Sequence, residues 1–182
     1  MSKIIAVCGS PESGKTTFGE MLKKSFEEKA QRVLMINYAD AVKHIARQYY
    51  NWNGEKDQYG RSLLQKIGTE MGRNMIDEDI WVIIVELFIN LMKDDFDVFI
   101  IGDCRFPNEI EYWEDKNNYY SIRIARENHS SQLTDEQKQH ASETSLDDYD
   151  NFDFVIQNND TLERLQEWSY AVVENILLRS CN

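Results

Sequence analysis

The sequence predicts an α/β fold in which helices cover both faces of a parallel β-sheet. Five short apolar segments alternate with longer segments whose apolar residues recur at helical spacing. Strands that are apolar throughout are typical of a sheet buried on both faces, and this alternation is typical of parallel strands. With 182 residues, of which 42% are hydrophobic, the chain can form one core, so we expect a single domain over residues 1–182.

The first half of the chain predicts two strands and four helices. The strands are Lys3 to Cys8, a β-branched run that ends at a glycine, and Arg32 to Ile36. A first helix follows Gly14, and Asp40 stands where it could cap a second one. After a polar loop from Tyr50 to Gly60, we expect helices over Ser62 to Met75 and Ile80 to Met92.

The second half predicts three strands and a final helix. The strands are Val98 to Asp103, Tyr119 to Ile124 and Phe154 to Ile156. The segment Asp160 to Glu163 resembles a capping box with Asp160 as the cap, and it opens an amphipathic helix. Ligands of such sheets bind at the carboxyl ends of the strands, so we expect the functional residues in the loops that follow those ends.

Composition excludes several classes of protein. A net charge of −12 argues against a general nucleic-acid binder, which needs a basic surface, although a few cations can still form a cleft for a small anion. The longest apolar stretch has 13 residues, too few to cross a bilayer. The three cysteines are widely spaced and indicate no disulfide framework, and no secretory signal is evident. We therefore expect a cytoplasmic protein with neither nucleic-acid nor membrane partners.

The strongest motif directly follows the first predicted strand. Residues 9–16 read Gly-Ser-Pro-Glu-Ser-Gly-Lys-Thr and match G-x-x-x-x-G-K-[ST], the phosphate-binding loop. In such a loop, backbone N–H groups cradle phosphates, Lys15 reaches the β- and γ-phosphates, and Thr16 ligates Mg²⁺. A glycine-containing turn with a chance lysine is the alternative, which the strand–loop–helix context disfavours.

A second cluster ends the third predicted strand. Asp103 stands at the strand tip, where an acidic residue can hold Mg²⁺ through water or anchor a substrate, and Arg105 follows on the same face. The guanidinium of Arg105 could bind a phosphate or neutralise the transferring group. A surface ion pair between the two residues is the alternative.

Other residues could complete an anionic cleft. The basic ones are Lys43, Arg61, Arg73 and Arg126, although each one alone fits a solvated surface position equally well or better. Trp81 could stack on a nucleobase, but a core tryptophan is an equally good interpretation.

Five segments, taken together, carry a family resemblance. They are residues 9–16; Tyr38-Ala39-Asp40-x-x-Lys43; Leu63 to Arg73 followed by Trp81; Asp103-x-Arg105-x-x-Asn108-Glu109; and His140-x-Ser142-Glu143 leading to residues 153–160. The chain resembles the deoxynucleoside monophosphate kinases of tailed-phage type, a branch of the P-loop nucleoside monophosphate kinases. The resemblance implies a P-loop kinase fold, a three-layer αβα sandwich with a five-stranded parallel sheet and a mobile lid over residues 127–144.

The resemblance also implies a reaction and a set of site residues. The reaction is phosphoryl transfer from ATP–Mg²⁺ to a deoxynucleoside monophosphate, in DNA precursor synthesis. Catalytic roles fall to Lys15, Asp103, Arg105 and Arg126. ATP would contact Pro11, Glu12, Ser13, Gly14, Lys15, Thr16, Thr17 and Arg126, with Mg²⁺ held by Thr16 and by Asp103 through water. Within residues 38–92 and beyond, the acceptor would contact Lys43, Arg61, Gln65, Gly68, Thr69, Arg73, Trp81, Asp103, Arg105 and Glu109. The lid would contribute His140, Ser142 and Glu143.

Some alternatives stay open at this level. Between Glu127 and Glu163 the chain has one basic residue, Lys138, whereas lids of adenylate-kinase type supply several arginines. His140 to Glu143 could instead cap a short helix. Phosphomevalonate kinases share several of these motifs, and a non-catalytic ATP-binding protein would keep the phosphate loop. The accepted bases, the rejection of a 2′-hydroxyl and the choice between monomer and homodimer are not determined.

Overall fold

The computed structural model describes residues 2–116, 118–127, 134 and 139–179. Five parallel strands form one sheet in the order β2-β3-β1-β4-β5. The strands are β1 (Lys3–Cys8), β2 (Val33–Ile36), β3 (Val98–Cys104), β4 (Tyr119–Ala125) and β5 (Phe154–Gln157). All five strands lie where the sequence predicts them, within one residue at each end.

The described helices comprise seven α-helices and one π-helical segment. They are α1 (Lys15–Glu27), α2 (Ala39–Tyr50), α3 (Gln58–Gln65), the π-helical segment (Lys66–Arg73), α4 (Ile80–Met92), α5 (Asn108–Glu114), α6 (Ala141–Thr144) and α7 (Leu162–Arg179). None of the described helices is long and apolar enough to span a membrane.

Alternate residues of each central strand enter opposite core clusters. On one face, Ile5 and Val7 of β1 pack with α1 and α7; on the other, Ala6 and Cys8 pack with α2, the π-helical segment, α4 and α5. The period of two places a fully buried side chain on each face, which is why these strands are apolar throughout. The result is the expected three-layer αβα sandwich.

The strand order brings three loops to one edge of the sheet. Strand β1 lies between β3 and β4, and Cys8 at its end is paired with Cys104 after a one-residue shift in register that follows Ala6. The carboxyl ends of β1, β3 and β4 therefore lie side by side, and so do the residues that follow them. This edge receives the phosphate loop, Arg105 and Arg126.

Two caps differ from their predictions. Asp40 lies in the first turn of α2, and its carboxylate accepts hydrogen bonds from the backbone and side chain of Asn37 instead of capping the helix. At α7, the hydroxyl of Thr161 accepts from the backbone N–H of Arg164, so Thr161 occupies the capping position predicted for Asp160. At α2 the carboxylate of Asp103, distant in the chain, accepts from the N–H groups of Tyr38 and Ala39 and takes the role predicted for Asp40. At α7 the neighbouring polar residues Asp160 and Thr161 are both suitable caps, so the prediction is off by one residue.

The helix predicted over Ser62 to Met75 begins earlier and changes its winding. It starts at Gln58, inside the predicted loop, where Asp57 accepts from the N–H of Gly60. From Lys66 it becomes π-helical, which side-chain periodicity does not reveal. Helix α5, over Asn108–Glu114, was not predicted, since it has only two turns. Of the predicted lid, residues 128–133 and 135–138 lie outside the described residues.

Candidate active site

The phosphate loop has the backbone shape that its motif predicts. Gly9 and Gly14 have φ angles of 144° and 99°, and Glu12 adopts 60°. A Cβ atom at Gly9 would lie 2.3 Å from the carbonyl oxygen of Ile124, so only glycine fits this approach to β4. No side chain of the described residues caps the start of α1, which leaves its first N–H groups for an anion.

Lys15 is half-buried at this edge of the sheet, among other charged side chains. Its Nζ donates to the carbonyl oxygen of Ser10, 2.6 Å away, within the loop itself. Burial, and secondarily the positive charge of Arg105, lower the pKa of Lys15 from 10.5 to about 8, whereas Glu143 and Asp103 oppose the shift. These interactions place the phosphate loop, the end of β3 and helix α6 around one common site.

Asp103 anchors the start of helix α2 to the sheet. Its two carboxylate oxygens accept hydrogen bonds from the backbone N–H groups of Tyr38 and Ala39, at 2.8 and 3.0 Å. Burial raises the pKa of Asp103, while these hydrogen bonds and the charges of Arg105 and Lys43 oppose the rise. The surface Asp103–Arg105 ion pair considered from sequence does not form, because each residue has other partners.

Arg105 joins the end of β3 to helix α6. Its guanidinium donates to the carboxylate of Glu143 and to the carbonyl oxygen of Ser142, and its side chain is 36% exposed. Glu143 is 8% exposed, and its Oε2 has no hydrogen-bond partner among the described residues. Arg105 therefore keeps part of its surface open to the cleft while Glu143 holds its position.

Arg73 and Glu109 form a buried ion pair, with side chains 6% and 3% exposed. Glu109 also accepts from the backbone N–H groups of Arg105 and Phe106, and the Arg73 guanidinium lies 4.1 Å from the Phe106 ring centroid. Burial raises the pKa of Glu109 to about 7, against the opposing effect of Arg73. We interpret this pair as positioning Arg105, since its polar atoms already have protein partners.

The other predicted acceptor residues lie on α2, α3 and the π-helical segment. The Nζ of Lys43 is 2.8 Å from Asp40, and the Nε of Arg61 donates to the carbonyl oxygen of Lys56. Gln65 is half-buried at the end of α3, and Thr69 is buried.

Trp81 is 5% exposed and donates from Nε1 to the carbonyl oxygen of Gly68, at 2.7 Å. This contact fixes the backbone of the π-helical segment and favours the core interpretation of the tryptophan over base stacking.

His140 caps α6, as the alternative interpretation of the sequence proposed. Its Nδ1 accepts from the N–H of Ser142 at 3.2 Å, and its Nε2 lies 3.4 Å from the carboxylate of Glu70. Ser142 donates from its hydroxyl to Glu143. Helix α6 is thus connected to the π-helical segment through His140 and to β3 through Glu143.

The residues present fit a phosphate-bound Mg²⁺. Thr16 is the second residue of α1, and its hydroxyl offers an oxygen atom, the ligand type that Mg²⁺ prefers. Among the described residues, no cluster of three or more His, Cys, Asp or Glu side chains could hold a metal alone.

The sequence also matches known proteins. The model of the deoxynucleotide monophosphate kinase family matches residues 30–168, most of the chain. The chain belongs to this family. It is 48% identical, over 58 residues, to the deoxynucleoside-5′-monophosphate kinase of Escherichia phage T5, a match that spans 32% of this chain and 22% of the phage protein. It is also 26% identical over 199 residues to an Acanthamoeba polyphaga mimivirus protein provisionally named a deoxynucleotide monophosphate kinase, covering 94% of this chain and 96% of that protein.

Solved structures confirm the fold. A sugar kinase from Janibacter sp. superposes with a TM-score of 0.51 at 12% identity, covering 96% of this chain and 95% of the other. At this identity the likeness concerns architecture alone, a parallel sheet with the helices of a P-loop kinase. The fold class expected for this deoxynucleotide monophosphate kinase family member is therefore confirmed.

No individual role was assigned from the sequence to two residues that lie near the site of this family member. Asn158, directly after β5, donates from Nδ2 to the carbonyl oxygen of Ser13 and so braces the phosphate loop. Lys56 precedes α3, and the charges of Lys43, Arg105 and Arg61 lower its pKa, after the larger effect of burial. Asn158 follows a strand end, which was a usable signal, whereas nothing in the sequence around Lys56 distinguishes it from a solvated lysine.

Arg126 stands two residues beyond Ile124, on the strand that touches Gly9. It is exposed at the carboxyl end of β4, on the same sheet edge as the phosphate loop. Pro11, Glu12 and Thr17 also lie at the loop or in the first turn of α1.

Proposed function

We propose that this protein transfers a phosphoryl group from ATP to a deoxynucleoside monophosphate, giving the diphosphate and ADP. One observation supports this most directly: the phosphate loop follows Cys8 and Arg105 follows Cys104, and these two cysteines are paired at the ends of neighbouring strands. A phosphate donor held by the loop and an acceptor held near Arg105 would meet end to end.

The donor side is formed by the phosphate loop and its neighbours. Backbone N–H groups of the loop and of α1 bind phosphate oxygens, and the ammonium group of Lys15 neutralises the β- and γ-phosphates. Mg²⁺, when bound, neutralises further charge on these phosphates. Arg126, at the adjacent edge of β4, lies on the side from which it can reach the transferring group.

The acceptor side is formed by the helices that follow β2 and by the end of β3. Positive charge on this side comes from Lys43, Lys56, Arg61 and Arg105. The charges of the other three lower the pKa of Lys56, after the larger effect of burial, so we infer that the four side chains face one space. Asp103 fixes the start of α2, and the Arg73–Glu109 pair fixes the backbone of Arg105. The acceptor phosphate is already anionic at neutral pH, so catalysis requires alignment and charge neutralisation more than a general base.

The function is tested by measuring ADP release with a panel of acceptors. We expect deoxynucleoside monophosphates to stimulate ADP release strongly, and the corresponding diphosphates to accumulate in equal amount. Lys15→Ala should lose the activity with every acceptor while its circular dichroism spectrum stays unchanged, because the ammonium group is needed to neutralise the donor phosphates.

Two controls separate the competing functions. Ribonucleoside monophosphates and phosphomevalonate should stimulate ADP release less than the deoxynucleotides do. A response to phosphomevalonate alone would assign another kinase activity, and ATP binding without any acceptor-dependent ADP release would assign a non-catalytic nucleotide-binding protein.

A further inference from the structure

Helix α4 carries an apolar stripe on the face that points away from the core. Trp81, Val82, Val85 and Ile89 are buried beneath it, and the opposite face presents Ile84, Leu87, Phe88 and Leu91. These four residues have the i, i+3, i+4, i+7 spacing of one helix face. Their exposed fractions are 37%, 60%, 42% and 79%, respectively.

The outer stripe is unusual for a helix that borders water. A surface helix normally has one apolar face, directed at the core, and a polar face outside. The only charged residue of α4 is Glu86, and its carboxylate is engaged by Tyr112 and Lys116 of the same molecule. The stripe Ile84–Leu87–Phe88–Leu91 is therefore an uncharged surface, which marks an interaction site.

We propose that this stripe is the interface of a homodimer, in which α4 packs against α4 of a second copy. Two helix stripes of this spacing can face each other across a two-fold axis, since each residue then meets its equivalent or a neighbour on the partner copy. The dimer leaves the nucleotide site of each copy complete, so it does not depend on the function proposed above.

The exposed area suits this occupant. The four side chains expose the equivalent of about two whole residues, or roughly 400 Å² at about 150–200 Å² for a large apolar side chain. A standard interface buries about 800 Å² on each partner, of which somewhat more than half is apolar.

Charge also favours a second copy that meets this face. Each molecule carries a net charge of −12, so two copies repel each other wherever acidic surfaces approach. A face without unpaired charge is where that repulsion is smallest. The same net charge disfavours an anionic membrane as the occupant, because membrane-surface helices normally carry Lys and Arg beside their apolar face.

The proposal is tested by sedimentation velocity over protein concentrations from about 1 to 100 μM. The wild-type protein should sediment as a species of twice the 21.4 kDa chain mass at the upper concentrations. Raising the salt concentration should tighten the dimer, because salt screens the repulsion between acidic copies and leaves apolar contacts in place. An interface made of ion pairs would weaken instead.

A matched pair of variants locates the interface. Leu87→Glu should weaken dimerisation by roughly a hundredfold or more, because two leucines leave the interface and two carboxylates enter it. Leu162→Glu is the control: Leu162 is 62% exposed, against 60% for Leu87, and begins α7 on the opposite face of the sheet. Both variants should keep the wild-type circular dichroism spectrum and ADP-release activity as monomers or dimers.

Four outcomes would overturn the proposal. They are a wild-type monomer at every concentration, a dimer that dissociates as salt is raised, an unaltered dimer in the folded Leu87→Glu variant, and a monomer that binds neutral phosphatidylcholine vesicles through this face.

Discussion

The environment of Lys15 lowers its pKa, so the charge of this side chain changes with pH not far above neutrality. Burial, more than the neighbouring Arg105, lowers its pKa to about 8. The protonated ammonium is the form that attracts phosphate, so kcat/KM for ATP should fall by about tenfold per pH unit above pH 8. Bound phosphates favour the ammonium form, so kcat should begin to fall at a higher pH than kcat/KM does. Initial rates between pH 6 and 10, in buffers of constant ionic strength, measure both limbs.

The Lys15→Arg variant supplies the control for this pH dependence. A guanidinium stays charged over the whole range, so the variant should lose the alkaline fall in kcat/KM even if its rate is lower throughout. A wild-type profile that remains flat to pH 10 would contradict the role given to Lys15.

Arg105 is expected to act on the acceptor and on the transferring group more than on ATP binding. Arg105→Ala should lower kcat with a deoxynucleoside monophosphate by about a hundredfold or more, because one preorganised cation is lost from the site. Calorimetry should show an ATP dissociation constant close to that of the wild type. Arg164→Ala, which removes an exposed arginine of α7, should change neither quantity.

The reverse pattern would contradict this assignment. If Arg105→Ala weakened ATP binding and left the acceptor kinetics normal, Arg105 would belong to the donor side of the site.

At this scale, sequence predicts some roles and not others. The phosphate loop is contiguous, and its residues act through the backbone, so its motif is sufficient. Arg73 binds Glu109, 36 residues away in the chain, and Trp81 binds Gly68, 13 residues away. No rule of sequence spacing predicts either contact. The same holds for Lys56, whose position beside Lys43 and Arg105 depends on how α2 and α3 pack.

Among the elements, the π-helical segment depends on the close approach of one glycine to one tryptophan. A Cβ atom at Gly72 would lie 2.5 Å from the Trp81 ring, whereas a Cβ atom at Gly68 would make an ordinary contact of 3.7 Å with Val42. Gly72→Ala should therefore destabilise the fold by about 1–3 kcal/mol, through displacement of the ring or of the helix. Thermal unfolding of the two alanine variants compares the two sites directly. Gly68→Ala should be at least as stable as the wild type, because alanine favours the helix more than glycine does.

The same substitution should affect the acceptor. Because the π-helical segment begins directly after Gln65 and contains Thr69, its displacement should raise KM for the monophosphate more than KM for ATP. Equal stabilities of the two alanine variants would show that Trp81 does not constrain this segment.

Elements with a strong apolar pattern were predictable, and irregular ones were not. Strands β1 and β3 are buried on both faces and are therefore apolar throughout, whereas helix α4 is buried on one face and shows helical spacing of its buried residues. The π-helical winding arises from how the segment between α3 and α4 must meet Trp81 and Arg73, which is a tertiary constraint. Helix α5 has only two turns, too few for a periodic pattern to stand out.

The whole molecule concentrates positive charge at one edge of a strongly acidic protein. Lys15, Lys43, Lys56, Arg61 and Arg105 come from four separate parts of the chain and influence one another at that edge. The net charge of −12 therefore reflects the rest of the surface and does not indicate the positive charge of the site. Parallel strands end at the same edge of a sheet, so the predicted topology alone places these distant motifs together.

The paired residues Cys8 and Cys104 have a consequence for experiments on the intact protein. Both side chains are 0% exposed, and each is followed at once by a residue of the candidate site, Gly9 or Arg105. Burial also raises the pKa of the Cys104 thiol, so this group stays protonated and chemically unreactive. An alkylating reagent can reach these two sulfur atoms only when the centre of the sheet opens, and the rate at which they become labelled would therefore report how often the nucleotide-binding edge comes apart.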